Sequence, residues 1–237
     1  MLYLFKTIFI NLISRFNQKM IDFNKLNMPL DLPDFHVVLQ TLYKERSGYN
    51  CSLSREDQTL AMKKIFLTYG EILPEGLAKL FDFVKVNPED SFVDLGSGAG
   101  KAVLQSYLCT DMHSSYGVEI DEARFQISVE AIEDLKQKAP HLFTDRNKKI
   151  YFLNKNITDF DFSKVSLVFS NATCFGPNLM GLIAEQINNN PNVRAAMSTH
   201  KIEGLLNLTQ ENIVDIEVSW HIPPNTSPCY VYTRAYA

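Results

Sequence analysis

The sequence has no excess of positive charge. Its 27 aspartates and glutamates outnumber its 23 lysines and arginines, which gives a formal net charge of −4. We therefore expect no strong binding of nucleic acid by the chain as a whole. The four cysteines are scattered and form no C-x-x-C pair, which argues against a metal site and a disulfide framework. This pattern favours a reducing, intracellular compartment, cytoplasmic or nuclear.

Long apolar runs are also missing, since no stretch reaches the ~18 residues of a membrane-spanning helix. Residues 2–13 are apolar but lack the basic leader and the small-residue cleavage site of a signal peptide. One face of a helix here would carry Leu2, Phe5, Phe9, Leu12 and Phe16. Docking of this face on the protein body is the favoured interpretation, and contact with a membrane surface is the alternative. Delivery of the protein into another cell stays open as well.

The most informative stretch is residues 92–101, which read Phe-Val-Asp-Leu-Gly-Ser-Gly-Ala-Gly-Lys. A buried strand, a glycine-rich turn and an apolar helix start open a nucleotide-binding α/β sheet. The D-x-G-x-G-x-G spacing differs from that of dinucleotide sites, and Lys101-Ala102 does not fit a phosphate loop. Asp94 would repel a pyrophosphate but suits a cationic amino-acid group. The pattern therefore favours S-adenosylmethionine as the cofactor.

A glycine-rich stretch can also be only a mobile loop, but a second element favours the cofactor site. Residues 115–120 read as the next strand and carry Glu119, 21 residues after Gly98. This is close to the offset of about 20 residues at which an acidic side chain binds ribose hydroxyls. The alternative for Glu119 is a solvated carboxylate at the end of a strand.

Strands and helices alternate through the rest of the chain, which indicates a parallel sheet. Five strands are predicted at residues 91–95, 115–120, 150–154, 165–170 and 193–198. Two closing strands, at 213–220 and 230–234, are joined by a connection too short for a crossover and therefore form an antiparallel pair. The expected fold is α/β, a class I methyltransferase (Rossmann-like) seven-stranded sheet with a small helical N-terminal segment. We predict two parts, a helical accessory segment at residues 1–65 and the class I methyltransferase domain at residues 66–237.

Helix boundaries follow from capping and breaking residues. Asp121 is predicted to cap a helix that runs to Ala139, and Pro177 is predicted to begin another. Gly70 and Pro74 are predicted to mark a loop before a helix over residues 77–84.

Asn171 follows the fourth predicted strand, at the sheet edge where ligands bind in open α/β folds. Its amide could accept a hydrogen bond from an amine nucleophile and orient the lone pair. The alternative is that Asn171 is only a turn former or a helix cap.

Several stretches together resemble the disruptor-of-telomeric-silencing (Dot-type, non-SET) histone-lysine methyltransferases. The similar stretches are residues 69–71, 93–105, 116–119, 171–177 and 219–220, with Tyr230. The glycine motif alone is typical of methyltransferases in general, whereas the Asn…Phe-Gly-Pro and Ser-Trp elements are narrower. The resemblance covers residues 66–234.

The resemblance implies a role for individual residues in binding S-adenosylmethionine. The methionine end would be held by Asp94 with Gly96, Ser97 and Gly98, and covered by Tyr69, Gly70 and Glu71. Glu119 would bind the ribose, and Asn156 and Ile157 stand where the family has an acidic residue and an aromatic for the adenine. Lys101 replaces an amide of the family and would lie near the cofactor carboxylate.

The resemblance also implies a lysine channel built from Asn171, Phe175, Trp220 and Tyr230. Burial in an aromatic channel would lower the pKa of the substrate amine and free its lone pair. For Trp220 and Tyr230 the alternative is simple packing in the closing strands. Because the chain is acidic and has no basic tail, a non-nucleosomal histone or another protein lysine is expected rather than a nucleosome. The alternatives are a nucleic-acid or small-molecule amine methyltransferase and an inactive cofactor-binding module.

Overall fold

The computed structural model of the chain describes residues 21–49, 69–220 and 225–234. These residues contain a seven-stranded sheet with the order β3-β2-β1-β4-β5-β7-β6. The strands are β1 (Ser91–Leu95), β2 (Ser114–Glu119), β3 (Lys149–Asn154), β4 (Leu167–Ser170), β5 (Ala195–Ser198), β6 (Thr209–Glu217) and β7 (Thr226–Thr233). Strands β1 to β5 are parallel, and β7 runs antiparallel to both of its neighbours. The predicted antiparallel closing pair is confirmed.

Five α-helices lie within the described residues. They are α1 (Leu32–Leu42), α2 (Pro74–Val84), α3 (Lys101–Cys109), α4 (Glu122–Lys138) and α5 (Pro177–Asn189). Asp121 caps α4 as predicted, because its carboxylate accepts from the backbone N–H of Arg124 at 3.0 Å. The prediction that Pro74 lies in a loop is wrong. Pro74 is the first residue of α2, where the N–H that proline lacks would have no helical partner.

Both faces of the sheet are covered, so β1 and β4 are buried along almost their whole length. On one face, referred to here as the α5 face, Val93 and Leu95 pack with Ile183 and Ile187. On the opposite α2 face, residues including Phe92, Leu167 and Met197 pack with Leu77 and Leu80. Trp220 packs against this second cluster.

The accessory segment, residues 21–49, packs directly on α3 and α4. Its helix α1 buries Phe35 and Val38 in a cluster with Leu104 and Leu108 of α3. The division into residues 1–65 and 66–237 stays a prediction. The apolar face predicted within residues 1–20 lies outside the described residues. None of the helices in the described ranges could span a membrane.

The carboxyl ends of the central strands meet at one edge of the sheet. Leu95 at the end of β1 is in register with Val118 of β2 on one side and with Ser170 of β4 on the other. The glycine turn, Glu119 and Asn171 follow these positions, so the fold brings together at this edge the residues that the sequence predicted as a site.

Candidate functional site

The glycine turn after β1 needs glycine for both its conformation and its contacts. Gly96, Gly98 and Gly100 have φ values of +83°, +53° and +81°, in the left-handed region that residues with a Cβ rarely adopt. A Cβ on Gly98 would also lie only 2.4 Å from a ring carbon of Tyr69. The turn is held to β2 because the N–H groups of Gly96 and Ser97 both donate to the carbonyl oxygen of Val118, at 2.8 and 3.0 Å.

Glu119 anchors the turn through its carboxylate. One oxygen accepts from the N–H of Gly98 at 2.7 Å, and the other accepts from the N–H of Asp121 at 2.8 Å. Burial raises the pKa of Glu119, whereas these two backbone hydrogen bonds lower it. Each carboxylate oxygen can accept a second hydrogen bond. Glu119 can therefore hold the turn and still bind ribose hydroxyls.

Asp94 gives the clearest indication of a ligand-binding role. Its side chain is buried, with 5% of the residue exposed, and its Oδ1 has no hydrogen-bond partner among the described residues. Burial and the nearby charge of Glu119 raise the pKa of Asp94 to about 8. A buried carboxylate oxygen without a partner is costly. A cationic donor such as an ammonium group would satisfy this oxygen and stabilise its charge.

A short segment, residues 69–73, crosses above the glycine turn and is called the strap here. Ile72 forms an antiparallel bridge with Val218, beyond the end of β6. The N–H of Ser219 donates to the carbonyl of Glu71 at 2.9 Å, and the N–H of Glu71 donates to Ser219 Oγ at 2.8 Å. The strap is thus fixed to the closing strands by backbone pairing.

The side chains of the strap form a charged network over the turn. The hydroxyl of Tyr69 donates to Glu71 Oε1 at 2.6 Å, and Lys101 Nζ pairs with Glu71 Oε2 at 2.8 Å. The N–H of Ala99 donates to the Tyr69 oxygen at 3.3 Å. Burial is the main cause that raises the pKa of Tyr69, and the negative charge of Glu71 raises it further. Tyr69 is therefore a neutral phenol that both donates and accepts, and Lys101 compensates the charge of Glu71.

A narrow slot of about 30 Å³ separates the strap from the turn. It is lined by Tyr69, Gly70, Glu71, Ile72, Asp94, Gly96, Ser97, Lys101, Ala102, Phe169 and Asn171. Pockets that take whole small molecules have volumes of roughly 300–1,000 Å³. The slot therefore suits only one end of a cofactor, and the charged groups around it suit an amino-acid end.

Asn171 lies directly after β4, and both ends of its amide are bonded. Its Nδ2 donates to the carbonyl of Gly70 in the strap at 2.9 Å. Its Oδ1 accepts from the hydroxyls of Thr199 and Thr173, each at 3.2 Å. These contacts fix the orientation of the amide and connect the tip of β4 to the strap.

The predicted channel aromatics lie on two faces of the sheet. A Cβ on Gly70 would meet the Trp220 ring at 2.6 Å, on the α2 face. Phe175 lies against the glycine turn, 3.2 Å from the corresponding position on Gly96. Phe175 and Tyr230 pack on the α5 face. Trp220 therefore lies next to the strap, and Tyr230 lies on the other side of the sheet. A lysine channel shared by these aromatic residues and Asn171 stays a prediction.

The predicted adenine residues follow β3. Asn156 is exposed, and its side-chain oxygen accepts from the N–H of Thr158 at 3.1 Å. Ile157 is buried at the start of a short 3-10 helix. The Asn156 oxygen therefore serves as a cap and keeps one acceptor position for a ligand.

Sequence reasoning missed four residues that contact the site. The hydroxyl of Tyr43 donates to Ala99 O at 2.8 Å, Tyr49 and Arg124 contact Tyr69, and Thr199 orients Asn171. One signal was available for Arg124. It is a base in the first turn of a helix, where the helix dipole favours acids. The other three are distant in sequence from every motif.

Within the residues that the structure describes, no group of histidine, cysteine, aspartate and glutamate could hold a metal ion.

Comparison with known families gives a direct result. A model of the family described as histone methylation protein DOT1 matches residues 49–222, well over half of the chain. The chain belongs to the DOT1 family. The resemblance found in the motifs is thereby confirmed, and the matched region includes the strap, the glycine turn, Glu119 and Asn171.

Individual DOT1 relatives are longer proteins. The chain is 27% identical over 139 residues to a histone-lysine N-methyltransferase, H3 lysine-79 specific, from Caenorhabditis elegans, which covers 56% of this chain and 15% of the relative. A protein of the same description from Dictyostelium discoideum is 33% identical over 116 residues, which covers 47% of this chain and 6% of the relative. The chain therefore spans only a small part of the length of these relatives.

The fold has solved counterparts. Magnesium protoporphyrin IX methyltransferase from Synechocystis PCC 6803, solved with bound S-adenosylmethionine, superposes with a TM-score of 0.51 at 13% identity. The superposition covers 88% of this chain and 100% of that chain. At this identity the similarity concerns the fold alone, and it confirms the predicted class I methyltransferase fold.

Proposed function

We propose that this DOT1-family chain is an S-adenosylmethionine-dependent protein-lysine N-methyltransferase with a histone lysine as its acceptor. The observation that carries the proposal is the buried oxygen of Asp94, which has no partner among the described residues and belongs to a residue that lines the slot beside a turn of three left-handed glycines. Membership of the DOT1 family supports an amine of a protein lysine as the acceptor.

The residues around the slot fit the cofactor in charge and hydrogen bonding. Asp94 would hold the ammonium group, and Lys101 would hold the carboxylate, opposite Glu71. Glu119 would accept hydrogen bonds from the ribose hydroxyls, and Ile157 would pack on the adenine ring. When bound, S-adenosylmethionine supplies a methyl group attached to a positively charged sulfur.

The acceptor half of the site must provide a neutral amine, because a protonated lysine has no lone pair. Burial among aromatic side chains lowers the pKa of an amine, and Trp220 beside the strap and Phe175 beside the glycine turn would supply such walls. The Asn171 oxygen would accept a hydrogen bond from the amine in place of the one from Thr173 and would aim the lone pair of the amine, while Thr199 holds the amide in place. In this proposal no residue acts as a strong base.

Charge favours a free histone over a nucleosome. The chain carries a formal net charge of −4, which complements a basic protein but opposes the phosphates of wrapped DNA. The two relatives are described as specific for histone H3, so free H3 is the first acceptor to examine. A histone acceptor implies action in the nucleus or on histones before their assembly into chromatin.

The test supplies radiolabelled S-adenosylmethionine with free core histones, nucleosomes and a whole-cell lysate as separate acceptors. We expect label on histone protein, more on free histones than on nucleosomes, and about a hundredfold slower labelling with Asn171→Ala. Label that resists protease but is removed by nuclease would contradict a lysine acceptor. Binding of S-adenosylhomocysteine without transfer to any acceptor would contradict the enzyme and favour a binding module.

A further inference from the structure

Arg124, in the first turn of α4, contacts the strap and the accessory segment at the same time. Its guanidinium lies over the ring of Tyr69, 4.7 Å from the ring centroid. Its Nε donates to the carbonyl of Gly48 at 3.3 Å. Only 12% of the side chain is exposed, so the cation is largely removed from water. A partly desolvated cation over an aromatic face stabilises the ring position.

Arg124 is also tied to the residues that anchor the glycine turn. Its Nε lies 3.7 Å from Asp121 Oδ2, and its backbone N–H donates to Asp121 Oδ1. The N–H of Asp121 in turn donates to Glu119, whose carboxylate holds Gly98. One arginine thus joins the strap to the predicted ribose carboxylate.

The ring of Tyr69 is enclosed by backbone and rings from three parts of the chain. Cβ atoms placed on Gly48 and Gly98 would approach this ring within 2.3 and 2.4 Å. The ring of Tyr49 meets it edge-on at 4.8 Å, and the Tyr49 hydroxyl bonds to Ser219 Oγ. The position of Tyr69 therefore depends on how the accessory segment is held to α4, and Arg124 makes that connection next to the ring.

We propose that Arg124 is a positioning residue that sets the distance between Tyr69 and the glycine turn and thereby the affinity for the cofactor. This inference rests on the proposed function in that S-adenosylmethionine and its product are the ligands. Without Arg124, binding must also order the strap, and that ordering costs affinity. The residue acts through Tyr69 and takes no part in methyl transfer.

Arg46 offers a matched control. It also joins the accessory segment to α4, through Glu130 at 3.1 Å and Asp134 at 2.7 Å. Among the described residues these ion pairs involve neither the strap nor the glycine turn. Arg46→Ala therefore removes a comparable connection between the same two parts of the chain and leaves the surroundings of Tyr69 in place.

The first readout needs no cofactor. Trp220 is the only tryptophan of the chain and packs on Gly70 in the strap, so its fluorescence reports on the strap. We expect a red-shifted emission and stronger acrylamide quenching in Arg124→Ala, with wild-type values in Arg46→Ala. All variants are compared at a temperature at which circular dichroism shows them folded. Arg124→Lys keeps a cation near the Tyr69 ring, so its emission and its quenching should lie between those of the wild type and those of Arg124→Ala.

The second readout is the dissociation constant of S-adenosylhomocysteine. Arg124→Ala should weaken binding about fivefold to tenfold, as expected for a lost cation–π contact. Arg46→Ala should bind like the wild type. Wild-type affinity and quenching in Arg124→Ala would overturn the inference, as would an equal loss in Arg46→Ala. If the wild type binds no S-adenosylhomocysteine, the proposed cofactor is contradicted, and the quenching comparison still decides the role of Arg124.

Discussion

The two halves of the candidate site are built differently. The cofactor half, at the ends of β1 and β2, is a dense polar network in which Glu119 and Glu71 each bond to two groups. The acceptor half, at the end of β4, has one oriented amide and aromatic rings on two faces of the sheet. The glycine turn of the first half is specified by a continuous motif, whereas the second half depends on long-range packing. Changes in the two halves should therefore separate ligand binding from methyl transfer.

The largest expected effect is that of Asn171→Ala in the acceptor half. We expect kcat to fall by about a hundredfold, because misplacing a reacting group by about 1 Å costs this much. Binding of S-adenosylhomocysteine should weaken far less, by about fivefold, because only one of the hydrogen bonds that are lost, the one to the Gly70 carbonyl, reaches the strap. Single-turnover kinetics and calorimetry measure the two quantities. Equal losses in kcat and affinity would show that the two halves are not separable.

Asp94→Asn should change how stability depends on pH. The pKa of Asp94 is about 8 in the folded protein, against an ordinary value of 3.8 for an aspartate. A raised pKa contributes stability below pH 4, and this contribution is lost as the pH rises through 8. The free energy of unfolding of the ligand-free wild type should therefore fall between pH 5 and 8.

Urea unfolding at pH 5, 6.5 and 8 measures this dependence. The slope should be reduced in Asp94→Asn, since an amide has no proton to lose in this range. Part of the slope should remain because burial also raises the pKa of Glu119. Identical slopes in the variant and the wild type would contradict the assignment to Asp94.

A smaller effect is expected at Lys101, the first residue of α3. Lys101→Gln removes the partner of Glu71 and the proposed partner of the cofactor carboxylate. Because both side chains are partly exposed, we expect a loss in affinity for S-adenosylhomocysteine of only about threefold to fivefold. Adding salt should weaken wild-type binding more than that of the variant. A loss of affinity as large as that expected for breaking a buried ion pair would show that Lys101 does more than pair with Glu71 and with the cofactor carboxylate.

Much of the cofactor half could be predicted from the sequence because its determinants are local. The turn, Asp94 and Glu119 lie at fixed offsets within and after one strand-turn-helix unit, and the fold class follows from the alternation of elements. The strap could not be placed in this way, since its partners Tyr49, Ser219 and Arg124 are far away in the chain. Nor does the sequence of the two closing strands indicate that Trp220 and Tyr230 pack on opposite faces of the sheet.

The start of α2 illustrates a second limit. Proline breaks a helix in its interior but favours its first turn, so the same residue predicts either a loop or a helix start. At Pro74 the surroundings decide, because its carbonyl accepts a hydrogen bond from the side chain of Gln105 at 2.7 Å and the residue is buried. This contact comes from α3 and is invisible in the local sequence.

The most direct test of the account is calorimetric titration of S-adenosylhomocysteine at pH 7 in buffers of different ionisation enthalpy. Asp94 holds a proton before binding and is expected to lose it opposite the ligand's ammonium group, so binding to the wild type should release about one proton. Asp94→Asn should bind at least about tenfold more weakly and release none. Binding that releases no proton in the wild type, or unchanged affinity in Asp94→Asn, would contradict the claim that this buried carboxylate receives the cationic end of the cofactor.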